Sequence, residues 1–322
     1  MISKQNRPKI ALLGVGQVGG NLALLAAMRE LGDIVLFDIA SLEGMAKGKA
    51  LDIGQLLAVD GLNVNILGTS DWQQIHDADV VIVTAGRPRQ KGMSRDDLLD
   101  VNVPIIVEVA KNVKQYAPDA FAIIIANPLD AMVHAFSRVA NFQKQQVVGM
   151  AGVLDSARFR FFIAKKLGVS VSDVTAFVLG GHGDDMVPVV SLCTVGGIPV
   201  SQLLKQEEID AIVERTRKAG SEIVALLKTG SAYYSPAASA ICMAEAYLRD
   251  QKRVLTCAAY CQGEYNCDGI YFGVPTIIGK GGVEKVLQVE LDANAKKALA
   301  LSASHVVELV KAVDKRIPAI NI

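Results

Sequence analysis

Residues 9–38, KIALLGVGQVGGNLALLAAMRELGDIVLFD, decide the fold that this sequence predicts. They begin with a short apolar strand over 9–13, which runs into a glycine-rich turn. Apolar residues at helical spacing then predict a helix over 17–31, and Gly32 stands where a C-cap is expected. A second apolar strand follows over 34–37. This order of strand, glycine turn, helix and strand is typical of a nucleotide-binding βαβ unit.

The glycines of the turn, Gly14, Gly16 and Gly19, have the spacing G-x-G-x-x-G. The first permits the tight turn, the second lets backbone N–H groups approach a pyrophosphate, and the third lets the helix pack on the strand. Asp38 directly follows the second strand, where an acidic group is expected to accept from a ribose 2′-hydroxyl. The residues predicted to form this dinucleotide site are Gly14, Gly16, Gln17, Val18, Gly19 and Asp38.

Two other interpretations of this stretch compete with a dinucleotide site. The chain contains 28 glycines, so the spacing could be a coincidence. The uncharged run over 10–28 also imitates a secretory signal or a membrane span. Against the second interpretation, the run contains four glycines as well as Gln17 and Asn21, and it lacks a convincing cleavage site. The context of strand, helix, strand and Asp38 favours the dinucleotide site.

The length and composition indicate a globular protein of the cytoplasm. A chain of 322 residues predicts about two domains. Basic and acidic residues are balanced at 33 each, so the charge indicates neither nucleic acid nor a membrane as a partner. Hydrophobic residues make up 51%, which is enough for a large core. The five cysteines form neither a C-x-x-C pair nor a zinc pattern, and we interpret them as reduced thiols.

Apolar strands alternate with helical segments in the first half of the chain, which predicts a parallel sheet covered on both faces. Six such strands match a complete doubly wound, or Rossmann, fold. We therefore predict an α/β protein with a dinucleotide-binding domain over 1–144 and an α+β substrate domain over 145–322. Besides those named above, the predicted strands of the first half are 63–67, 79–85, 121–126 and 147–150, and its predicted helices are 41–59, N-capped by Ser41, and 102–116. The predicted helices of the second half are 152–167, 207–228, 233–248 and 292–313, and its predicted strands are 174–179, 186–195, 253–261 and 269–278.

Two loops follow strands at the edge where doubly wound folds bind their ligands. The first, 86–97, has the sequence GRPRQKGMSRDD, and its Gly and Pro content predicts a mobile lid more than an ordinary solvated loop. The second begins at Asn127, which is either a turn residue before proline or an amide presented to the ligands. The lid contains four cations, which are Arg87, Arg89, Lys91 and Arg95.

Three further residues of the second half are candidates for chemistry. His182 is flanked by three glycines in GGHGD, which is an unusual environment for a core histidine. Asp155 and Arg158 lie three residues apart on a predicted helix and share a face. Their spacing alone fits a simple surface ion pair equally well.

Several motifs agree in order and spacing with one family: GVGQVG, the LFD that ends in Asp38, AGRPRQKGMSRDDLL, NPLD, GVLDSARFR and GGHGDDMVP. On these motifs the chain resembles the lactate/malate dehydrogenase family, and within it the malate dehydrogenases that are similar to lactate dehydrogenase. The resemblance covers nearly the whole chain. It implies an NAD-dependent oxidoreductase of the tricarboxylic acid cycle, which transfers hydride reversibly between (S)-malate and NAD and gives oxaloacetate and NADH. It also implies a homotetramer or a homodimer.

The resemblance assigns roles to the candidate residues. It implies that His182 takes the proton of the substrate alcohol and that Asp155 holds the other ring nitrogen of this histidine. Arg158 is then expected to bind the substrate carboxylate through its planar fork. Arg95 is expected to polarise the substrate carbonyl, and Asn127 to orient substrate and nicotinamide.

Arg89 is expected to decide the substrate. By resemblance, its position carries arginine in malate dehydrogenases and typically glutamine in lactate dehydrogenases. A lid arginine can pair with the second carboxylate of oxaloacetate, but over the methyl group of pyruvate it would be desolvated and unpaired.

Asn102 and Asn127 complete the residues expected to bind NAD, and no metal is expected.

Three alternatives remain open. The runner-up is L-lactate dehydrogenase or another 2-hydroxy acid dehydrogenase, which Arg89 disfavours. An NAD-dependent glycosidase has the same general fold but needs a metal held by Cys and His, and the sequence contains no such cluster. A non-catalytic protein on the same scaffold would have no reason to combine His182, Asp155 and several placed arginines.

Overall fold

A computed structural model of the protein describes residues 7–87 and 93–317. Six of the strands in this part of the chain are parallel and belong to one sheet: β1 (Lys9–Leu13), β2 (Asp33–Phe37), β3 (Ile66–Thr69), β4 (Val80–Val83), β5 (Phe121–Ile124) and β6 (Val147–Gly149). They lie in the order β3-β2-β1-β4-β5-β6, and the chain reverses direction across the sheet at β1, which pairs with both β2 and β4. This is the strand order of a complete doubly wound fold, so the predicted fold class is confirmed.

Helices cover both faces of this sheet. In chain order, the helices of the described residues are α1 (Gln17–Met28), α2 (Glu43–Asp60), α3 (Arg95–Tyr116), α4 (Leu129–Ala140), α5 (Gly152–Leu167), α6 (Val200–Leu203), α7 (Gln206–Leu227), α8 (Tyr234–Leu248) and α9 (Ala293–Arg316), of which α6 and α7 pack in a separate core with the short strands of the second half. On β1, Ala11 and Leu13 pack in a core with α3, α4 and α9, whereas Ile10 and Leu12 pack in a second core with α1, α2 and α8. Burial on both faces makes β4 and β5 unbroken apolar runs, which is why the sequence located them. The edge strand β3 is partly exposed, and it begins at Ile66 rather than at the predicted residue 63.

The strands between α5 and α7 are short. They are β7 (Val174–Thr175), β8 (Val178–Leu179), β9 (Val187–Pro188), β10 (Thr194–Val195) and β11 (Ile198–Pro199). The predicted strand over 174–179 is therefore interrupted, and the one predicted over 186–195 is wrong, because a 3₁₀ turn at Val190–Leu192 separates β9 from β10. A short apolar run indicates burial, and a buried turn satisfies that pattern as well as a strand does.

The last three strands extend the large sheet in the antiparallel sense. They are β12 (Arg253–Gln262), β13 (Asp268–Gly279) and β14 (Gly282–Val286). β12 pairs with β13 along its length, which confirms the predicted antiparallel pair. β12 also pairs with β6, where Ala258 lies opposite Gly149. The division of the chain at residue 145 stays a prediction, since the sheet runs across it.

Two predicted helix caps are wrong. α1 ends at Met28, so Gly32 is not its C-cap. A Cβ on Gly32 would lie 2.2 Å from the carbonyl oxygen of Pro8, so this glycine permits close contact with the start of β1. Ser41 lies within a 3₁₀ turn, Ala40–Leu42, and α2 begins only at Glu43. The uncharged run over 10–28 is divided between β1 and α1, and no helix of the described residues has the length and apolar character that a membrane span requires.

The helices around the candidate site also differ from the prediction. α3 begins at Arg95 rather than at residue 102, because Ser94, the residue before Arg95, forms a capping box with Asp97. Oγ of Ser94 accepts from the backbone N–H of Asp97 at 3.1 Å, and the Asp97 carboxylate accepts from the N–H of Ser94 at 2.8 Å. The sequence prediction gave no bounds for α4, although Asp130, His134 and Arg138 recur every four residues along it and share one face of the helix. Ten of its residues are buried.

Candidate active site

The candidate site lies at the carboxyl edge of the parallel strands. The glycine turn leaves β1, Gly86 and Arg87 follow β4, and Asn127 follows β5. β1 and β4 are neighbours, and strand order reverses between them. Loops that leave the sheet in opposite directions at such a point open a crevice for a ligand.

Two of the three glycines in the turn are tightly packed, and the third faces open space. Gly14 has φ +112°, and a Cβ there would lie 2.4 Å from Oγ1 of Thr84. A Cβ on Gly19 would lie 1.8 Å from the carbonyl oxygen of Gly14, so the helix can pack this closely only without a side chain. A Cβ on Gly16 meets no atom of the described residues within 4 Å. The turn therefore packs tightly against the protein through Gly14 and Gly19, while its surface at Gly16 is open to a ligand.

The N-terminus of α1 adjoins this open surface. Within the described residues, no side chain caps the helix at Gly16, so the first N–H groups, beginning with those of Gln17 and Val18, are available to an anion. An open backbone loop and an uncapped helix N-terminus together fit the pyrophosphate of a dinucleotide.

Asp38 and Lys49 hold the turn from two sides. The Asp38 carboxylate accepts from the backbone N–H groups of Val15 and Ile39, each at 2.8 Å. Nζ of Lys49, on α2, donates to the carbonyl oxygens of Val15 at 2.6 Å and Gly16 at 2.8 Å. Burial lowers the pKa of Lys49, and the charge of Asp38 opposes that effect. Sequence analysis did not find Lys49, because nothing in the pattern around it indicates that its side chain reaches back to the turn.

His182 lies against a buried carboxylate. Its Nδ1 is 2.8 Å from Oδ2 of Asp155, whose side chain is 2% exposed, while the histidine side chain is 18% exposed. An ionised carboxylate only accepts, so Nδ1 carries a hydrogen and Nε2 is left to exchange a proton. The structure thus brings together two residues that lie on different elements, α5 and the loop after β8.

Opposing effects act on the pKa of His182. Burial, the largest single effect, lowers it, whereas the charge of Asp155 and the hydrogen bond to it raise it. Asp130 raises it further and Arg158 lowers it. The net result is a pKa above the ordinary value for histidine.

Arg158 is the cationic partner in this cluster. Its Nη1 donates to Oδ1 of Asp155 at 3.2 Å, and its side chain is 13% exposed. The interpretation as a surface ion pair is therefore wrong, because both side chains are largely buried. Among the described residues no acceptor reaches the buried Nε of Arg158. A buried guanidinium with a donor to spare, beside the histidine, fits a substrate carboxylate.

Asn102 connects the base of the lid to the loop that carries Asn127. The fully buried Asn102 amide donates to the carbonyl oxygens of Arg87 at 3.1 Å and Asn127 at 2.7 Å, and it accepts from the N–H of Arg87 at 2.8 Å. All of these partners are backbone groups, and the assignment of Asn102 to cofactor binding stays a prediction. Asn127 is exposed at the carboxyl end of β5, and its peptide bond to Pro128 is cis.

The structure describes residues 86–87 and 93–97 of the lid. Arg89 lies outside the described residues, and so does the side chain of Arg95, although the backbone of Arg95 begins α3. The roles assigned to both arginines therefore stay predictions. No group of three or more His, Cys, Asp or Glu side chains within 7–87 and 93–317 is arranged to hold a metal ion.

Comparisons with known proteins match nearly the whole chain. Residues 8–149 match the model of the lactate/malate dehydrogenase NAD-binding domain, and residues 152–316 match that of the α/β C-terminal domain. A malate dehydrogenase of Myxococcus xanthus is 54% identical over 97% of this chain and 99% of its own length. The crystal structure of a Cryptosporidium parvum malate dehydrogenase is 46% identical, with a TM-score of 0.93, over 96% of this chain and 99% of that one. A lactate dehydrogenase of the same organism, solved with lactic acid and NAD, is 49% identical with a TM-score of 0.93, over 96% and 98%.

Proposed function

The chain belongs to the lactate/malate dehydrogenase family, and we propose that it is an NAD-dependent malate dehydrogenase. The observation that supports this most directly is the cluster of His182, Asp155 and Arg158. It places a histidine of raised pKa beside a buried guanidinium with a spare donor. Such a pair suits a 2-hydroxy acid, which presents a hydroxyl and a carboxylate on adjacent carbons.

In malate oxidation, Nε2 of His182 takes the proton of the C2 hydroxyl. Asp155 keeps the hydrogen on Nδ1 and stabilises the imidazolium that forms. Arg158 holds the C1 carboxylate with the part of its fork that Asp155 does not occupy. When bound, NAD accepts the hydride that leaves C2, so the alcohol loses one proton and one hydride and becomes the ketone.

The cofactor has a clear place in the glycine turn. The N–H groups at the start of α1 would bind its pyrophosphate, and the open surface at Gly16 gives it room to approach. Asp38 would accept from the adenosine ribose while it continues to accept from Val15, because a carboxylate oxygen has more than one lone pair.

The choice of malate over lactate is assigned to Arg89. The two Cryptosporidium parvum relatives are similar to this chain to nearly the same degree, yet one is a malate and the other a lactate dehydrogenase. Overall similarity to this chain therefore does not distinguish the two substrates, and the choice has to be argued from individual residues of the site. A guanidinium at position 89 would pair with the distal carboxylate of oxaloacetate, while Arg95 would polarise the carbonyl.

The test compares NADH oxidation with oxaloacetate and with pyruvate in the wild type and in Arg89→Gln. The wild type should prefer oxaloacetate, by up to the ~10⁴–10⁵-fold that a buried polar partner can supply. Arg89→Gln should lose activity on oxaloacetate and gain activity on pyruvate. Lys91→Gln, which removes a neighbouring cation from the same loop, is the matched control and should keep the wild-type preference. An equal loss in both variants, or an unchanged ratio in Arg89→Gln, would contradict the role of Arg89. A wild type that prefers pyruvate would favour a lactate dehydrogenase or another 2-hydroxy acid dehydrogenase.

We also propose a homotetramer or homodimer in the cytoplasm. Large apolar side chains on α2 are exposed in the single chain, among them Leu51 at 66% and Val59 at 85%, and a second copy would cover them. All five cysteines are free thiols, which suits a reducing compartment.

A further inference from the structure

Asp130 is a buried carboxylate to which the reaction scheme above assigns no role. It lies in the first turn of α4, just after Asn127, and is 3% exposed. Its Oδ2 accepts from the backbone N–H of His182 at 2.9 Å. A buried carboxylate is costly unless it is hydrogen-bonded, so its place beside the histidine main chain needs a physical reason.

The loop that carries His182 has little stiffness of its own. Glycines precede and follow the histidine, and Gly180 and Gly183 have φ values of +93° and +151°. Three consecutive N–H groups nevertheless have separate acceptors. Gly180 donates to the Gly273 carbonyl at 2.9 Å, Gly181 to Oγ of Ser302 at 2.9 Å, and His182 to Asp130. The external partners hold this backbone in place, and Asp130 supplies the one that acts on the histidine itself.

We propose that Asp130 is a positioning residue for proton transfer, which fixes the main chain of His182 so that its ring meets both Asp155 and the substrate. The proposal rests on the proposed function of the site. It also links two loops, because α4 follows directly from the segment with Asn127. The N-terminal turn of α4 thereby sets the distance between the base, His182, and the Asn127 amide that is expected to orient the substrate.

The charge of Asp130 has a second effect on the base. Asp155 and Arg158 face His182 from α5, and Asp130 faces it from α4. In the same loop Asp185 is paired with His305 of α9, at 2.8 Å. Asp130 adds to the charge of Asp155 in raising the pKa of His182, against burial and Arg158. A neutral residue at 130 should therefore favour the unprotonated imidazole.

The sign of the expected pH effect follows from the proton balance. Oxaloacetate reduction uses protonated His182, so activity is present below the pKa of the histidine and is lost as pH rises through it. Asp130→Asn keeps an oxygen that can accept from the His182 N–H but removes the charge. The pH at which kcat/KM for oxaloacetate falls should therefore move to a lower value, while the affinity for NADH stays the same.

The experiment measures pH profiles of kcat/KM for oxaloacetate, together with NADH binding by fluorescence, in four proteins. These are the wild type, Asp130→Asn, Asp130→Glu and Asp314→Asn. Asp130→Glu keeps the charge but displaces the oxygen by one methylene, so it should keep the wild-type inflection and lose kcat, by up to the order of 10²-fold for a misplaced group. Asp314→Asn is the matched control, because Asp314 of α9 accepts at 3.0 Å from His134, which lies on the same helix as Asp130, and is not among the charges that act on the pKa of His182.

Each outcome decides the proposal. A lower inflection in Asp130→Asn with unchanged NADH binding supports it, and so does a kcat loss in Asp130→Glu at a wild-type inflection. A loss of activity with an unchanged inflection in Asp130→Asn would assign Asp130 to packing alone and overturn the proposal, as would wild-type kinetics in both variants. If Asp130→Asn does not fold, Asp130→Glu decides, because wild-type kcat in that variant contradicts positioning. A wild type that reduces pyruvate but not oxaloacetate refutes only the proposed substrate, and the same profiles can then be measured with pyruvate.

Discussion

Asp155→Asn is the substitution that tests the site most severely, because one buried carboxylate serves two partners. Oδ2 accepts from Nδ1 of His182 at 2.8 Å, and Oδ1 accepts from Arg158 at 3.2 Å. An asparagine has one acceptor and one donor in the same place. Arg158 cannot accept a hydrogen bond, so the amide oxygen is expected to turn to the guanidinium and the NH₂ group to turn to His182.

This arrangement would give the histidine the wrong tautomer. Nδ1 would accept from the asparagine, and Nε2 would carry the hydrogen that it has to take from malate. The loss of acid–base catalysis is expected to lower kcat by ~10²–10⁴-fold, about 3–5 kcal/mol of transition-state stabilisation. Burial and Arg158 act to lower the pKa of His182, and Asp155 and Asp130 act to raise it. Without the charge of Asp155, Asp130 is the carboxylate that still raises this pKa. Oxaloacetate reduction, which needs the protonated form, should therefore fail at a lower pH than in the wild type.

The measurement is steady-state NADH absorbance in both directions across a range of pH. Asp185→Asn is the matched control, because Asp185 forms an Asp–His contact of the same 2.8 Å length with His305 at the exposed end of the same loop. It should leave kcat unchanged. Near wild-type kcat in Asp155→Asn, or an equal loss in Asp185→Asn, would refute the assignment of His182 and Asp155 as the proton-transfer pair.

Two further predictions concern the cofactor. Asp38→Ser should narrow the preference for NADH over NADPH, because the carboxylate that repels a 2′-phosphate is gone while the cation of Lys49 remains close by. The ratio of kcat/KM for NADH to that for NADPH measures this preference, and an unchanged ratio contradicts the prediction. Lys49→Met should raise the dissociation constant of NADH with little change in kcat, since the Val15 and Gly16 carbonyls lose their donor far from the reacting atoms. Fluorescence titration tests this. Lys47→Met is the control, because Lys47 lies on the same helix and forms an exposed i,i+4 pair with Glu43. Wild-type affinity in Lys49→Met would refute the role of this lysine.

The nucleotide-binding half could be predicted from sequence because its signals are local. The glycine turn, the strands on either side of α1 and Asp38 all lie within residues 9–38, and each has a direct physical cause in its neighbours. The errors have local causes as well. Apolar periodicity places the start of α3 at residue 102, whereas the capping box of Ser94 and Asp97 places it correctly at Arg95. α4 also has no predicted bounds, although the i,i+4 spacing of Asp130, His134 and Arg138 is a readable helical period.

The site in the second half could not be assembled from spacing alone. Nothing local indicates that His182, after β8, meets Asp155 on α5, and the resemblance to a family supplied that pairing. Asp130 and Lys49 were overlooked for a related reason. Each acts on the backbone of a distant loop, so its partner is an N–H or carbonyl group that has no signature in the amino-acid sequence.

The charges around His182 explain why its two carboxylates should differ in effect. With neutral imidazole, the described part of this cluster holds two carboxylates and one guanidinium, and proton uptake by His182 balances them. Asp155 contacts both the imidazole and Arg158, so its loss should disturb proton transfer and carboxylate binding together, lowering kcat and raising KM for oxaloacetate. Asp130 contacts the histidine main chain, so its loss should change the pH dependence and kcat but leave the carboxylate half of the site intact. A rise in KM for Asp155→Asn without one for Asp130→Asn would therefore separate the carboxylate that serves substrate binding from the one that serves only the base.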